Sequence, residues 1–243
     1  MIRQFVKCIK KSYHKCLGII YPQTCCFCGK ISKNPVCSKC FLEISYIKEP
    51  RCKKCGKPIR YIEQELCHDC DKNNFAFEQG KSIWIHEGKV KWSIYQFKFH
   101  NKRIYGEFYA KEFVRLYGKW IRENEIDLII PVPLHAKRRR RRGYNQAEII
   151  ATHLGEAMGI KVDSKAILRV KATEHQKVLD NQERRKNLKQ AFCVTKNLSE
   201  FKNLLIVDDI YTTGSTINEI ANTIRLKFAC KVWFLTISIG QGF

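Results

Sequence analysis

The stretch Leu204-Leu205-Ile206-Val207-Asp208-Asp209-Ile210-Tyr211-Thr212-Thr213-Gly214-Ser215-Thr216 decides the fold. An apolar run of strand character ends on two adjacent carboxylates. A loop of small hydroxyl residues and one glycine follows, and then a helical pattern begins. Thr216 with Glu219 reads as a capping box, and Ile217, Ile220, Ala221, Ile224 and Phe228 recur at helical spacing. Residues 232–239 are β-branched and aromatic, so another strand follows. Strand, loop, helix and strand make a βαβ unit, which implies a parallel sheet buried on both faces. The Thr/Gly/Ser loop can turn several backbone N–H groups toward one phosphate, with a favourable dipole from the helix N-terminus. Asp208 and Asp209 suit ribose hydroxyls or a magnesium ion carried in by a phosphorylated ligand. The plainer alternative is an ordinary βα turn.

Upstream, Ile126-Asp127-Leu128-Ile129-Ile130 is the first clear parallel-type strand, and Pro131, Val132, Pro133, Leu134 and His135 end it. Two prolines there exclude normal ladder donors. The run Lys137, Arg138, Arg139, Arg140, Arg141 and Arg142 follows. Adjacent like charges repel, so this run needs anions or full solvation, and a strand's carboxyl edge offers pyrophosphate or nucleic-acid phosphate. Asn145 with Glu148 then caps a helix ending near Gly159. Ile83, Trp84 and Ile85 read as a strand and residues 107–120 as a helix. Residues 169–190 form a long basic insertion with Arg169, Lys171, Thr173, His175, Gln176, Lys177, Arg184, Arg185, Lys186 and Asn187, a candidate lid over a pyrophosphate leaving group. Residues 1–22 carry Ile2, Phe5, Val6, Ile9, Tyr13, Leu17 and Ile20 on one face of a basic amphipathic helix, expected to pack on the protein itself rather than on a membrane.

Of 13 cysteines, eleven precede residue 71, and eight fall into four C-x-x-C pairs: Cys25/Cys28, Cys37/Cys40, Cys52/Cys55 and Cys67/Cys70. Eight thiolates supply two tetrahedral zinc sites, and four thiolates leave the metal nowhere to bind substrate, so both sites are structural. Sequential pairing leaves loops of eight and eleven residues, alternate pairing loops of twenty-three and twenty-six. Shorter loops cost less entropy to close and favour the sequential arrangement, but the spacing leaves both open. Cys26 and His68 are spare donors. An odd cysteine count in this pattern argues against a disulfide framework.

The 243 residues carry 45 Lys+Arg against 23 Asp+Glu, a formal net charge of +22. Eight thiolates and two zinc ions would leave it near +18. So basic a chain favours polyanionic partners, nucleic acid first. Trp84, Trp92, Tyr95, Phe97 and Phe99 could stack on bases or fill a core. No apolar stretch is long enough to cross a bilayer and no signal peptide is evident, so a cytoplasmic location is expected.

Together these residues resemble the ComF family. The paired-cysteine module is similar to its double zinc ribbon, and residues 204–216 are similar to the phosphoribosyl-pyrophosphate (PRPP) motif of type I phosphoribosyltransferases. Tyr95-Gln96-Phe97-Lys98-Phe99, the stretch from Pro131 to Glu148, Thr173 with Gln176, and Arg184 with Asn187 complete the likeness. Asn101-Lys102 stands where the family pattern has Gly-Asp, and Ala136 where Pro is commoner. The resemblance implies an α/β fold of the type I phosphoribosyltransferase kind over residues 76–243, with a double zinc ribbon at residues 23–75. It places Asp208 and Asp209 on the ribose hydroxyls as the catalytic pair. Thr212, Thr213, Gly214, Ser215 and Thr216 would take the 5′-phosphate, and Pro131, Val132, Pro133, Leu134 and His135 would lie beside the pyrophosphate. Lys98, Lys137, Arg138, Arg139, Arg140 and Arg184 would meet pyrophosphate or nucleic acid. The implied role is uptake and processing of transforming DNA, with magnesium-bound PRPP and single-stranded DNA as ligands and a DNA helicase or translocase as a possible partner. The alternative is an active phosphoribosyltransferase with an unidentified acceptor.

Overall fold

The computed structural model describes residues 23–171 and 190–241. The expected helix over residues 1–22, and residues 172–189 of the basic insertion with Arg184, lie outside the described residues. The chain divides into two compact units, Met1–Ser45 and Tyr46–Phe243.

In the first unit Thr24 and Ile31 form an antiparallel bridge around a tight knuckle, in which the Gly29 N–H donates to the Cys25 carbonyl at 2.9 Å. Helix α1 (Ser38–Glu43) starts directly after Cys37. Among its described residues only Cys25, Cys26, Phe27 and Cys40 are buried hydrophobics. Within these described residues three of the four are cysteines, so metal bound by the thiols would supply much of the local folding energy.

The second unit opens on another knuckle, bridged between Arg51 and Pro58, and on α2 (His68–Lys72). Its centre is a five-stranded parallel sheet of β1 (Gly80–Ile85), β2 (Leu128–Pro131), β3 (Lys161–Val162), β6 (Asn203–Tyr211) and β7 (Lys231–Ile239). The spatial order is β1-β7-β6-β2-β3. A short antiparallel pair, β4 (Ile167–Arg169) and β5 (Phe192–Val194), flanks the basic insertion. Leu204, Leu205, Ile206 and Val207 are each fully buried, as a strand covered on both faces requires. One face, with Leu128, Ile130, Leu204, Ile206, Val232 and Phe234, packs with Ile217, Ile220, Ala221 and Ile224 of α7 (Ser215–Arg225). The opposite face meets α6 (Gln146–Met158), which packs on α4 (Tyr105–Glu123). Gly106 makes that helix pairing close, since a Cβ there would collide with Ile149.

Two local readings change. The basic run winds into α5 (Ala136–Arg142), capped by the His135 side chain, which accepts from the Lys137 N–H, and ended by Gly143 at φ 77°. Helix α7 begins at Ser215 with Gly214 as its N-cap and has no side-chain cap, so the Thr216/Glu219 capping box does not form. Glu219 instead accepts from the Gln190 N–H at 2.7 Å. The Asn145 cap does form, through the Ala147 N–H, and Gly159 ends α6 in the left-handed region. Residues 95–99 lie in α3 (Gly88–Phe99).

Candidate functional site

Chain order reverses between β2 and β6. From β2 the chain runs outward to β3, and from β6 it runs the other way to β7. The crevice outside the carboxyl ends of an open parallel sheet at such a switch point is where ligands bind. The two segments singled out from the sequence meet there. Pro131 pairs with Val207, and the Val132 N–H donates to the Val207 carbonyl at 2.9 Å, one residue before the acidic pair.

Asp209 is buried and its Oδ1 lies 2.8 Å from Lys98 Nζ, both side chains largely out of solvent. This ion pair ties the end of β6 to α3. Asp208 Oδ1 accepts the Asp209 N–H at 2.8 Å. Burial, and then the adjacent charge of Asp209, push the Asp208 carboxyl up to about 7. It therefore exchanges a proton near neutrality and offers a carboxylate to a cation above it. His86, at the end of β1, shares a 2.9 Å hydrogen bond with Ser238; burial, then the Lys98 charge, lower its pKa.

Above the acids, Thr213 and Ser215 hydroxyls lie 2.8 Å apart and Gly214 holds φ 78°. The first N–H groups of α7 have no acceptor within the helix. With no side chain of the described residues capping that end, an anion is the natural cap.

The cations divide into two groups. Arg142 and Arg169 act electrostatically on the acidic pair, Arg142 on both carboxylates and Arg169 on Asp208, while Arg138 acts on both arginines. Arg142 also donates to Gln146 at 2.9 Å and stacks 4.7 Å from the Phe99 ring. Arg139 pairs with Glu148 at 3.0 Å and lines a surface cavity of about 490 Å3 with Arg103 and Tyr144. Lys137, Arg140 and Arg141 are exposed. Pro131, Val132 and Pro133 are buried and shape the crevice wall, with Leu134 and His135 half-exposed at its rim. Of the aromatics, Trp84 and Phe97 are core residues, which removes them as stacking platforms; Trp92, Tyr95 and Phe99 remain exposed, the last two 5.0 Å apart. Sequence reasoning placed Arg142 in the basic run but missed its relation to the acidic pair, and it missed His86 and the pairing of Lys98 with Asp209, because each contact joins segments far apart in the chain.

The cysteines gather as two sets, Cys25, Cys28, Cys37 and Cys40, and Cys52, Cys55, Cys67 and Cys70, with every sulfur within 4.8 Å of the others in its set. Tetrahedral zinc with Zn–S near 2.3 Å needs sulfurs about 3.8 Å apart. Cys28 and Cys37 stand at 3.8 Å, and Cys55 and Cys67 at 3.6 Å. The Cys37 N–H points at the Cys25 sulfur at 3.4 Å, as expected around a thiolate. Both sets fit zinc, and the pairing is sequential. Cys26 and His68 belong to neither set; burial pushes the Cys26 thiol up to about 12. Among the described residues no helix is long and apolar enough to cross a membrane.

Comparison with known proteins gives the same picture. A double zinc ribbon domain family matches residues 16–71. Competence protein F of Haemophilus influenzae is 44% identical over 101 residues, 41% of this chain and 44% of that protein. DNA utilization protein YhgH of Escherichia coli O157:H7 is 40% identical over 111 residues, 45% of this chain and 48% of that one. Competence protein ComFC of Bacillus subtilis is 24% identical over 160 residues, 64% of this chain and 62% of that protein. Over the stronger matches, the chain spans about half the length of the curated relatives it matches.

Proposed function

We propose that this chain, which carries a double zinc ribbon and is similar over part of its length to competence protein F and ComFC, acts in natural transformation, binding magnesium-complexed PRPP at the β2/β6 crevice and single-stranded DNA on the basic surface beside it, on the cytoplasmic side of the membrane. The observation that carries the PRPP reading is the stacking, at one switch point, of two carboxylates under an uncapped helix N-terminus. A sugar phosphate has both parts that this pair asks for: an anion for the α7 N–H groups and hydroxyls for Asp208 and Asp209. Magnesium, brought with the pyrophosphate, would add a hard cation for the same carboxylates. DNA binding is supported by the exposed cations of α5 and by exposed Tyr95 and Phe99, the latter stacked under Arg142 of the same helix.

Calorimetry with magnesium-PRPP tests the first part. Binding should tighten as pH rises through about 7, as Asp208 loses its proton. Affinity left unchanged by Asp208→Asn with Asp209→Asn would refute the site. Titration of a single-stranded oligonucleotide across a salt series tests the second. Binding without salt dependence would refute an electrostatic DNA surface.

One observation favours turnover as a second reading: Lys98, Arg142 and Arg169 converge on the acidic pair, where they would stabilise charge developing on a departing pyrophosphate. An acceptor would attack the anomeric carbon as its bond to pyrophosphate breaks. Pyrophosphate release from PRPP in the presence of candidate acceptors decides between binding and transfer.

A further inference from the structure

We propose that Tyr211 is a positioning residue that couples the second four-thiolate ribbon to the phosphate loop, so that metal held by Cys52, Cys55, Cys67 and Cys70 and a ribose phosphate held by the loop strengthen each other's binding. The inference rests on the loop being a phosphate site. Tyr211 is the last residue of β6 and precedes Thr212 directly. Its side chain is 1% exposed. The ring stacks on Phe234 at 4.7 Å with an interplanar angle of 1°, and meets the edge of Phe77 at 6.3 Å.

On one side the ring faces the ribbon. Tyr211 shares a buried cluster with all four thiols. Lys57 Nζ stands 6.0 Å from the ring centroid and pairs with Asp69, between Cys67 and Cys70, at 2.6 Å. The ribbon is itself anchored to the sheet: the Gly80 N–H donates to the Lys54 carbonyl at 2.8 Å. On the other side the phenol abuts the loop. A Cβ added at Gly214 would collide with the Tyr211 hydroxyl oxygen and lie 2.9 Å from its Cζ. Gly214 also needs its left-handed backbone, so the loop can take its shape only with glycine resting on this ring. The hydroxyl itself is buried with no hydrogen-bond partner among the described residues. A side chain wedged between metal knuckle and loop transmits displacement, because packed groups cannot deform continuously. If zinc in the ribbon favours the loop geometry that binds phosphate, phosphate must favour zinc retention by the same factor.

The test measures zinc release from the full-length, zinc-loaded protein to a colorimetric chelator, with and without saturating magnesium-PRPP. One of the two zinc equivalents should leave at least threefold more slowly when PRPP is bound, and the other should not change. A Cys28→Ser variant identifies the protected equivalent as that of the second ribbon. Tyr211→Leu should keep both zinc ions but lose the protection, and Tyr211→Phe, which keeps the ring, should retain it. Calorimetry that shows PRPP bound while neither zinc is protected overturns the inference. If PRPP does not bind, the phosphate reading falls and hydrogen exchange decides this one without ligand. Faster exchange at residues 212–216 in zinc-loaded Tyr211→Leu, with β2 and β7 unchanged, supports coupling; unchanged exchange there overturns it.

Discussion

The two cysteine ribbons have the same ligand chemistry and different surroundings. The first belongs to the unit that ends at Ser45, and its Cys28 and Cys37 are half-exposed. The second lies in the unit of the parallel sheet. Its four thiols are buried in the same cluster as Phe77, Phe234, Tyr211 and Ile217. A four-thiolate zinc site is therefore not a fixed functional part. Its consequence depends on what its sulfurs pack against: among the described residues of the first unit Phe27 is the one buried apolar side chain besides cysteines, and in the second unit the thiols are one wall of a large core.

The sharpest way to break that contrast is to remove one ligand from each ribbon. Structural zinc contributes about 10–16 kcal/mol in isolated fingers, against a whole-domain stability of about 5–15 kcal/mol. Cys55→Ser should abolish the cooperative melt of the sheet followed by circular dichroism. Cys28→Ser should lose one zinc equivalent and keep that melt. Equal effects would erase the distinction.

A smaller effect is expected from the aromatic neighbours. Phe234→Ala removes a ring stacked against Tyr211 and edge-on to Phe77, and should cost about 3–5 kcal/mol in denaturant titration. Phe27→Ala, in the first unit, should speed zinc loss from Cys25, Cys28, Cys37 and Cys40 while leaving the midpoint of the sheet's transition in place.

Smaller again is a pH signature confined to the second unit. The Asp208 carboxyl sits at about 7 in the folded protein, against about 3.9 for a free aspartate. Between those values the folded state holds a proton that the unfolded state has lost, so raising pH through the window destabilises the fold. Relative to wild type, Asp208→Asn should gain stability from about pH 4 to about pH 7 and hold that gain above it, read from paired denaturant titrations. A flat difference would place Asp208 in a more solvated setting than its packing indicates.

The smallest effect concerns surface charge. Arg140→Ala with Arg141→Ala should leave thermal stability within about 0.5 kcal/mol, as exposed substitutions do. The salt slope for a single-stranded oligonucleotide should fall by roughly one to two phosphate contacts. An unchanged slope would remove α5 from the proposed DNA surface.

Much of the site was legible because its residues are consecutive. Asp208 to Thr216 form one strand, loop and helix start, and the C-x-x-C pairs fix each half of a metal site within four residues. The gathering of β1, α3 and α5, drawn from residues 80–142, around the crevice was not legible. The basic run looked like a naked phosphate binder, yet α5 turns Arg139 toward Glu148 and leaves Arg142 to the acidic pair. The capping box at Thr216 failed because the helix takes Gly214 as its cap, two residues earlier, in a conformation that the loop's packing selects.

The sequence by itself determined the βαβ unit, the acidic pair and the eight metal ligands, since periodicity and short spacing are local properties of a chain. Only the tertiary structure decided which thiols share a metal, that Lys98 neutralises Asp209, and that Tyr211 stands between the second ribbon and Gly214. Those are long-range contacts, and their partners are chosen by how the sheet closes over its core rather than by any pattern along the backbone.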